Sequence, residues 1–349
     1  MSHGGDKRTV PVSYIKKWSK SEAEGDRGTG YLSRVTGGRG TCQLEAREPS
    51  PCYFLGVMML ELGGKKITFT NLGKKLWPGE NISKYDLIKY YLRVSPYMLP
   101  HLRERFLVLQ RFPEGILEKG FFQKNCPPGA PRWLRTVPFR HRGGKVIRYL
   151  VAAGPETLAW AGNQAALEIH AWLSGINSLD KPDHAVFDLD PPEGVPFSRV
   201  CEVALALKGL LEKKGLRCFV KTSGARGLQV YLPLLPIYDY STVRKFVQRC
   251  FEEINGQMPA ITTLERKVSG RGDKIYLDYL QNAQGKTIVA LYSPRPLPGA
   301  PVSAPLEWEE LHFAALDPSS FHIGSIPARL LEKGDLFAAV LSDKQAVIL

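Results

Sequence analysis

The chain has 349 residues, 44% hydrophobic side chains and a formal net charge of +13. That composition excludes a disordered chain, and so basic a protein points to a polyanionic partner, nucleic acid before an anionic membrane. No apolar run reaches the roughly eighteen residues of a spanning helix, M-S-H-G-G-D-K-R has no secretory core, and the six cysteines (42, 52, 126, 201, 218, 250) form no C-x-x-C pair, which argues against zinc and disulfides and for reduced thiols.

Residues 1–60 are rich in glycine, serine and charge from Ser19 to Arg47 and show no sustained period. We expect a loose extension there, with a catalytic domain over 61–349 and a first strand at Lys66–Phe69. Ser83 and Asp86 form a capping box that opens a helix with Leu87, Tyr90, Tyr91 and Val94 on its apolar face. Arg105–Gln110 and Gly120–Lys124 read as strands, Pro155–Leu167 as a helix and Ala185–Asp190 as a strand. Ser198–Lys214 is an amphipathic helix closed by Gly215. Cys218–Lys221 and Leu228–Leu232 flank the tight turn S-G-A-R-G, and Ser241 caps a helix through Ile254. Ile275–Leu280 and Thr287–Tyr292 read as a second strand pair, and the five prolines of Pro294–Pro305 predict an extended, semi-rigid loop. The mixed order gives an α+β fold with a central, largely antiparallel sheet flanked by helices.

The chemistry begins at H-A-V-F-D-L-D-P-P, residues 184–192. Strand side chains alternate, so Asp188 and Asp190 share one face, and Pro191 and Pro192 end the ladder in front of them. Two carboxylates about 5 Å apart repel by roughly 3 kcal/mol at an effective dielectric near 20 unless a proton, arginines or a cation offset it. A third acid, Asp278, stands alone in K-I-Y-L-D-Y-L, sharing a face with Tyr276 and Leu280. Three oxygen donors on two strands suit Mg²⁺ or Mn²⁺ rather than zinc, and two such ions serve phosphoryl transfer. A strand that simply ends in solvated acids is the plain alternative.

A phosphate cradle is available in Ser223-Gly224-Ala225-Arg226-Gly227, with Arg295 and the charged loop Arg266, Lys267, Arg271, Lys274 as further cations. Phe121 and Phe122 are either core or a platform for bases, with Arg111, Lys119 and Lys124 nearby in sequence. Lys74, Lys75 and Lys84, near Trp77, form an earlier basic and aromatic patch. His170, in L-E-I-H-A-W, reads as a core or supporting histidine.

Six stretches together resemble the polymerase domain of bacterial ATP-dependent DNA ligase D, a branch of the archaeo-eukaryotic primase superfamily. They are N-L-G-K-K-L-W-P (71–78), G-F-F-Q-K (120–124), D-L-D-P (188–191), T-S-G-A-R-G-L (222–228), Y-L-D-Y-L-Q-N (276–282) and S-P-R (293–295), in that order over residues 66–325. The resemblance implies a primase-polymerase fold that fills gaps and extends ends in non-homologous end joining, with a preference for ribonucleotides and manganese. It implies Asp188, Asp190 and Asp278 as ligands of two Mn²⁺ or Mg²⁺ ions. Ser223, Arg226, Gln281, Arg295 and His170 would hold the NTP or dNTP. Lys74 and Lys84 would hold the 5′-phosphate of gapped or broken DNA, Phe121 and Phe122 would stack on template bases, and Arg271 would reach the site from its loop. The length leaves no room for ligase or nuclease domains, which implies a stand-alone module working with Ku and a separate DNA ligase at the bacterial nucleoid, away from membranes. Two positions depart from the family's S-G-S-K-G-L-H: Arg226 replaces lysine, and Gln229 replaces a histidine, where it could reach a phosphate or sugar. A primase that starts chains de novo and a DNA-end-binding scaffold without catalysis stay open as other readings.

Overall fold

The structure, a computed structural model, describes residues 58–141, 143–313 and 315–347. Two compact units divide the chain at Gly73. The described part of the first is a hairpin of β1 (Met58–Leu62) and β2 (Lys65–Phe69), its buried residues Leu60, Leu62, Ile67 and Phe69 alternating along the strands. Met58–Leu60, within the expected loose extension of 1–60, are part of strand β1; the rest of that expectation lies outside the described residues.

The second unit opens with β3 (Lys75–Trp77) and β4 (Ile82–Ser83), which lead into α1 (Lys84–Leu102). The capping box of Ser83 and Asp86 is formed, and Leu87, Tyr90, Tyr91, Val94 and Met98 make the buried stripe. Pro96 lies inside α1 and cannot donate to the Leu92 carbonyl; the Ser95 hydroxyl donates to it instead, at 2.8 Å.

Then follow β5 (Arg105–Arg111), β6 (Phe121–Gln123), β7 (Thr136–Arg140), β8 (Val146–Leu150), α2 (Pro155–Asn163), β9 (Ala166–Gly175) and β10 (His184–Asp190). The chain continues through α3 (Phe197–Lys213), β11 (Phe219–Thr222), β12 (Leu228–Pro233), α4 (Tyr240–Gln257), β13 (Thr262–Thr263) and β14 (Ile275–Asp278). It ends with β15 (Thr287–Val289), β16 (Pro305–Leu306), α5 (Ile326–Lys333) and α6 (Ala338–Ser342).

The α+β, largely antiparallel class is the expected one, but, beside the two-stranded β1–β2 and β3–β4 pairs, the strands divide between two six-stranded sheets. One has the order β13-β14-β10-β12-β11-β16, and only its β13–β14 pair is parallel. The other runs β15-β9-β5-β8-β7, with β6 also paired to β5. β5 is buried on both faces. Leu107 and Leu109 join the main core, whereas Phe106 and Val108 join a second cluster with Tyr149 and Trp172. Asp335 ties the C-terminal segment to α1, accepting from the Tyr292 hydroxyl at 2.7 Å and pairing with His101 at 2.7 Å.

Several local expectations are corrected. Helix α2 stops at Asn163, and Ala166–Gly175 is a ten-residue strand buried on both sides, a pattern with no period of 2 to betray it. Asp239, not Ser241, caps α4, accepting from Thr242 N–H at 2.7 Å. β14 and β15 are not a pair: one joins β10 and the other β9. Tyr279–Gln281 is a 3₁₀ turn, so Leu280 does not continue the Asp278 strand.

Candidate active site

Strand β10 lies between β14 and β12. The register sets Asp188 directly opposite Asp278 on one side and opposite Gln229 on the other, and sets Gln229 opposite Lys221 on β11. Directly opposed residues of an antiparallel pair share a face. Asp278, Asp188, Gln229 and Lys221 therefore form one polar row across the sheet, with Asp190 two residues along at its rim.

Asp188 is half-buried, and its Oδ1 accepts from Gln229 Nε2 at 3.1 Å. Its Oδ2 faces Gln281 Nε2 at 3.5 Å, and the buried Gln281 Oε1 has no partner. Burial pushes the Asp188 carboxyl up to about 6; the Gln229 hydrogen bond opposes this, and the charges of Asp278 and Asp190 add to it. Asp190 is likewise raised, by burial first, against the attraction of Arg271 and Arg226. Asp278 Oδ1 accepts from Leu280 N–H at 2.9 Å and from the Tyr276 hydroxyl at 3.4 Å.

Acids raised by burial and by one another mark a place that favours a positive charge. All three donors are hard oxygens, and the backbone register fits a divalent cation. The side chains are not drawn into a closed cage: among the described residues no group of three His, Cys, Asp or Glu side chains meets that description. Asp190 leans toward Arg271, Oδ2 to Nη1 at 3.7 Å, and Asp278 is held by its own turn.

Beside the acids, the β11–β12 turn closes around Ser223, whose Oγ accepts from Ala225 N–H at 3.2 Å and Gly227 N–H at 3.1 Å. Gly224 has φ +75°, and a Cβ there would lie 2.7 Å from Arg295 Cγ, so only glycine fits. Arg226 is exposed. Arg295 Nη1 donates to the Ser223 carbonyl at 2.6 Å, and its Nε to the Glu168 carboxylate. Glu168, 2% exposed, also bonds His170 Nε2 at 2.7 Å. Burial opposes ionisation of Glu168, but His170 and Arg295 outweigh it and hold the carboxyl below its ordinary value. His170 is thus linked to Arg295 through Glu168, with Phe122 edge-on at 5.5 Å.

Phe121 and Phe122 are both exposed, at 48% and 55%, and Arg111 lies over Phe121 at 5.4 Å. The core alternative for these two does not hold. Lys74 pairs with Glu114 at 2.5 Å, and the Lys84 N–H donates to the Lys74 carbonyl at 2.8 Å. Burial first, then Lys74 and Arg111, lower the Lys84 pKa. Trp77 is fully buried, so the expected patch there is basic but not aromatic. Arg271 is already folded against the acids, stacked on Tyr276 at 3.7 Å. Gln229 is 4% exposed inside the sheet, its amide bonded to Asp188 and Lys221.

Sequence reasoning missed Glu168, Lys221 and Ser303. Lys221 is wholly buried; its Nζ donates to Gln229 Oε1 and to Ser303 Oγ, each at 2.5 Å. Burial, with a smaller effect from Arg295, lowers its pKa to about 7 against the pull of Asp188. Glu168 and Lys221 carry the signal that singled out Asp278, a lone charge in an apolar strand.

The fold is thus a mixed α+β scaffold with Asp188, Asp190 and Asp278 at one sheet's rim and cationic side chains nearby. A family model for the LigD primase-polymerase domain matches residues 83–337, and the chain belongs to that family. It is 37% identical over 270 residues to the bifunctional non-homologous end joining protein LigD of Bacillus subtilis, covering 77% of this chain and 43% of that one. It is 32% identical over 283 residues to the multifunctional LigD of Mycolicibacterium smegmatis, covering 80% and 36%. The chain thus spans less than half the length of these relatives. The polymerase domain of Mycobacterium tuberculosis ligase D, solved in complex with DNA, superposes with a TM-score of 0.74 at 32% identity, covering 80% of this chain and 99% of that one.

Among the described residues Cys126, Cys201, Cys218 and Cys250 are free, and no helix is long and apolar enough to cross a membrane.

Proposed function

We propose that this chain is a DNA-templated nucleotidyltransferase that fills gaps and extends ends in non-homologous end joining. The observation that carries the reading is the register setting Asp188 opposite Asp278, with Asp190 on the same face, Arg226 acting on Asp190, and Arg295 bonded to the neighbouring Ser223 turn and, through Glu168, linked to His170. Asp188, Asp190 and Asp278 would hold two divalent ions, Mn²⁺ or Mg²⁺, which when bound ease deprotonation of the primer 3′-hydroxyl and offset charge on the leaving pyrophosphate. Arg295, fixed from behind by Glu168 and the Ser223 carbonyl, presents its remaining donors to the triphosphate with Arg226. Gln281, whose Nε2 lies 3.5 Å from Asp188 Oδ2, would contribute to the same nucleotide site.

Exposed Phe121 and Phe122 offer faces to template bases. Lys74, with the 6% exposed Lys84 next to it, would take the 5′-phosphate beyond the gap in exchange for Glu114. Arg271 leaves Asp190 for the incoming nucleotide or template. Ribonucleotides as preferred substrates, Ku and a DNA ligase as partners, and work at the nucleoid are inferred from the family alone. The departure at Gln229 gives a scaffold without catalysis no support, because the amide hydrogen-bonds Asp188.

The test is incorporation of labelled NTP or dNTP into a gapped, 5′-phosphorylated DNA with Mn²⁺. Asp188→Asn and Asp278→Asn should lose incorporation yet bind the gap. Wild-type activity in either variant refutes the assignment, and product on an unprimed template favours the primase reading.

A further inference from the structure

Lys221 and Gln229 have no part in the reaction as proposed above, yet they lie in register with the aspartates and are 0% and 4% exposed. A lysine sealed inside a sheet is costly unless each of its donors is matched. Here the three polar neighbours of Nζ are Gln229 Oε1 at 2.5 Å, Ser303 Oγ at 2.5 Å and the Thr222 carbonyl at 3.5 Å. The Ser303 hydroxyl donates its own hydrogen to the Thr222 carbonyl at 2.9 Å, so it faces Lys221 with a lone pair. Three acceptors around one nitrogen are the environment of an ammonium.

We infer that Gln229 is a positioning residue of fixed polarity through which the buried Lys221 anchors Asp188, so that position 229 serves the carboxylates and not the incoming nucleotide. An ammonium can only donate, which forces Oε1 of the amide toward Lys221. That turns Nε2–H toward Asp188 Oδ1, and an ionised carboxylate can only accept. Neither end of the amide can be exchanged. An imidazole in this place would bridge the same two partners only when neutral and in one tautomer; the amide, which does not titrate, bridges them whenever Lys221 is an ammonium and Asp188 a carboxylate. With Oδ1 held from behind, Asp188 keeps Oδ2 toward the front of the site, beside Gln281. Such supporting partners orient a ligand and set its affinity for a cation.

The inference rests on Asp188 as a ligand in the proposed nucleotidyl transfer, and the experiment separates the two. Binding of Mn²⁺ to the resting protein is titrated by the loss of the free-ion EPR signal, and KM for NTP is measured at saturating Mn²⁺. Gln229→Met, of similar volume, should weaken Mn²⁺ binding by about ten- to a hundredfold while leaving KM for NTP within about twofold. Lys221→Met should act in the same direction, and the double variant should be no worse than the weaker-binding single, because both cut one chain of contacts. Thermal unfolding and affinity for gapped DNA without metal check that each variant is folded; should Lys221→Met not fold, Gln229→Met decides alone. The inference is overturned if folded Gln229→Met binds Mn²⁺ within about twofold of wild type, if the loss falls on KM for NTP, or if the single effects multiply in the double variant. Asp188→Asn is the control. If it loses Mn²⁺ binding and incorporation while Gln229→Met keeps both, only the positioning role fails; if wild type binds no Mn²⁺, both readings fail.

Discussion

Glu168→Gln isolates the charge that holds Arg295 and His170 in place. The carboxylate is 2% exposed and makes two charge-assisted contacts, to Arg295 Nε and to His170 Nε2. Glutamine keeps the shape and one acceptor but not the charge, and it leaves the largely enclosed Arg295 guanidinium less compensated. Hydrogen bonds to charged groups contribute about 1.5–3 kcal/mol, and breaking a buried pair costs more, so we expect a loss of roughly 2–3 kcal/mol. For a unit of this size that lowers Tm by about 4–6 °C. The loss should depend on pH. Glu168 is held below its ordinary value of 4.5, so in the folded protein it binds its proton later than in the unfolded chain. Its contribution is complete above the unfolded value and drains away as pH falls through the folded one. The difference between wild type and variant, measured by urea unfolding, should hold steady from about pH 7 to about pH 5 and narrow below about pH 4.5. A cost under about 0.5 kcal/mol at neutral pH, or a gap that does not close in acid, refutes the account.

Lys74→Ala with Lys84→Ala should bring the affinity ratio between phosphorylated and unphosphorylated gaps close to one and reduce the log–log salt slope of binding by about two; an unchanged ratio in fluorescence anisotropy removes the 5′-phosphate role. Phe122→Ala should weaken gap binding by about 1–3 kcal/mol when a template base is present and much less when that base is absent, with stability changed by under about 0.5 kcal/mol because the ring is 55% exposed. Equal losses on both templates rule out stacking. Asp335→Ala leaves Tyr292 and His101 unpaired in the core and should cost about 2–4 kcal/mol in chemical unfolding; a cost near zero means that the C-terminal segment is held by apolar packing alone.

The period of 2 in A-V-F-D-L-D was enough to put Asp188 and Asp190 on one face, because alternation is a property of any strand. Pro191 and Pro192 were enough to end that strand, since neither has an N–H to pair. The capping box at Ser83 and the S-G-A-R-G turn were legible for the same reason: each is decided by neighbours within four residues. Strand β9 was not legible, because its residues are buried on both faces and a continuous apolar run reads alike as helix or strand. Only pairing between distant segments could show that β14 and β15 belong to different sheets, that Glu168 meets Arg295 across 127 residues, and that Lys221, Gln229, Asp188 and Asp278 fall in one row. The local pattern names which side of a strand faces the core; register, which a shift of one residue would invert, decides which charges become neighbours.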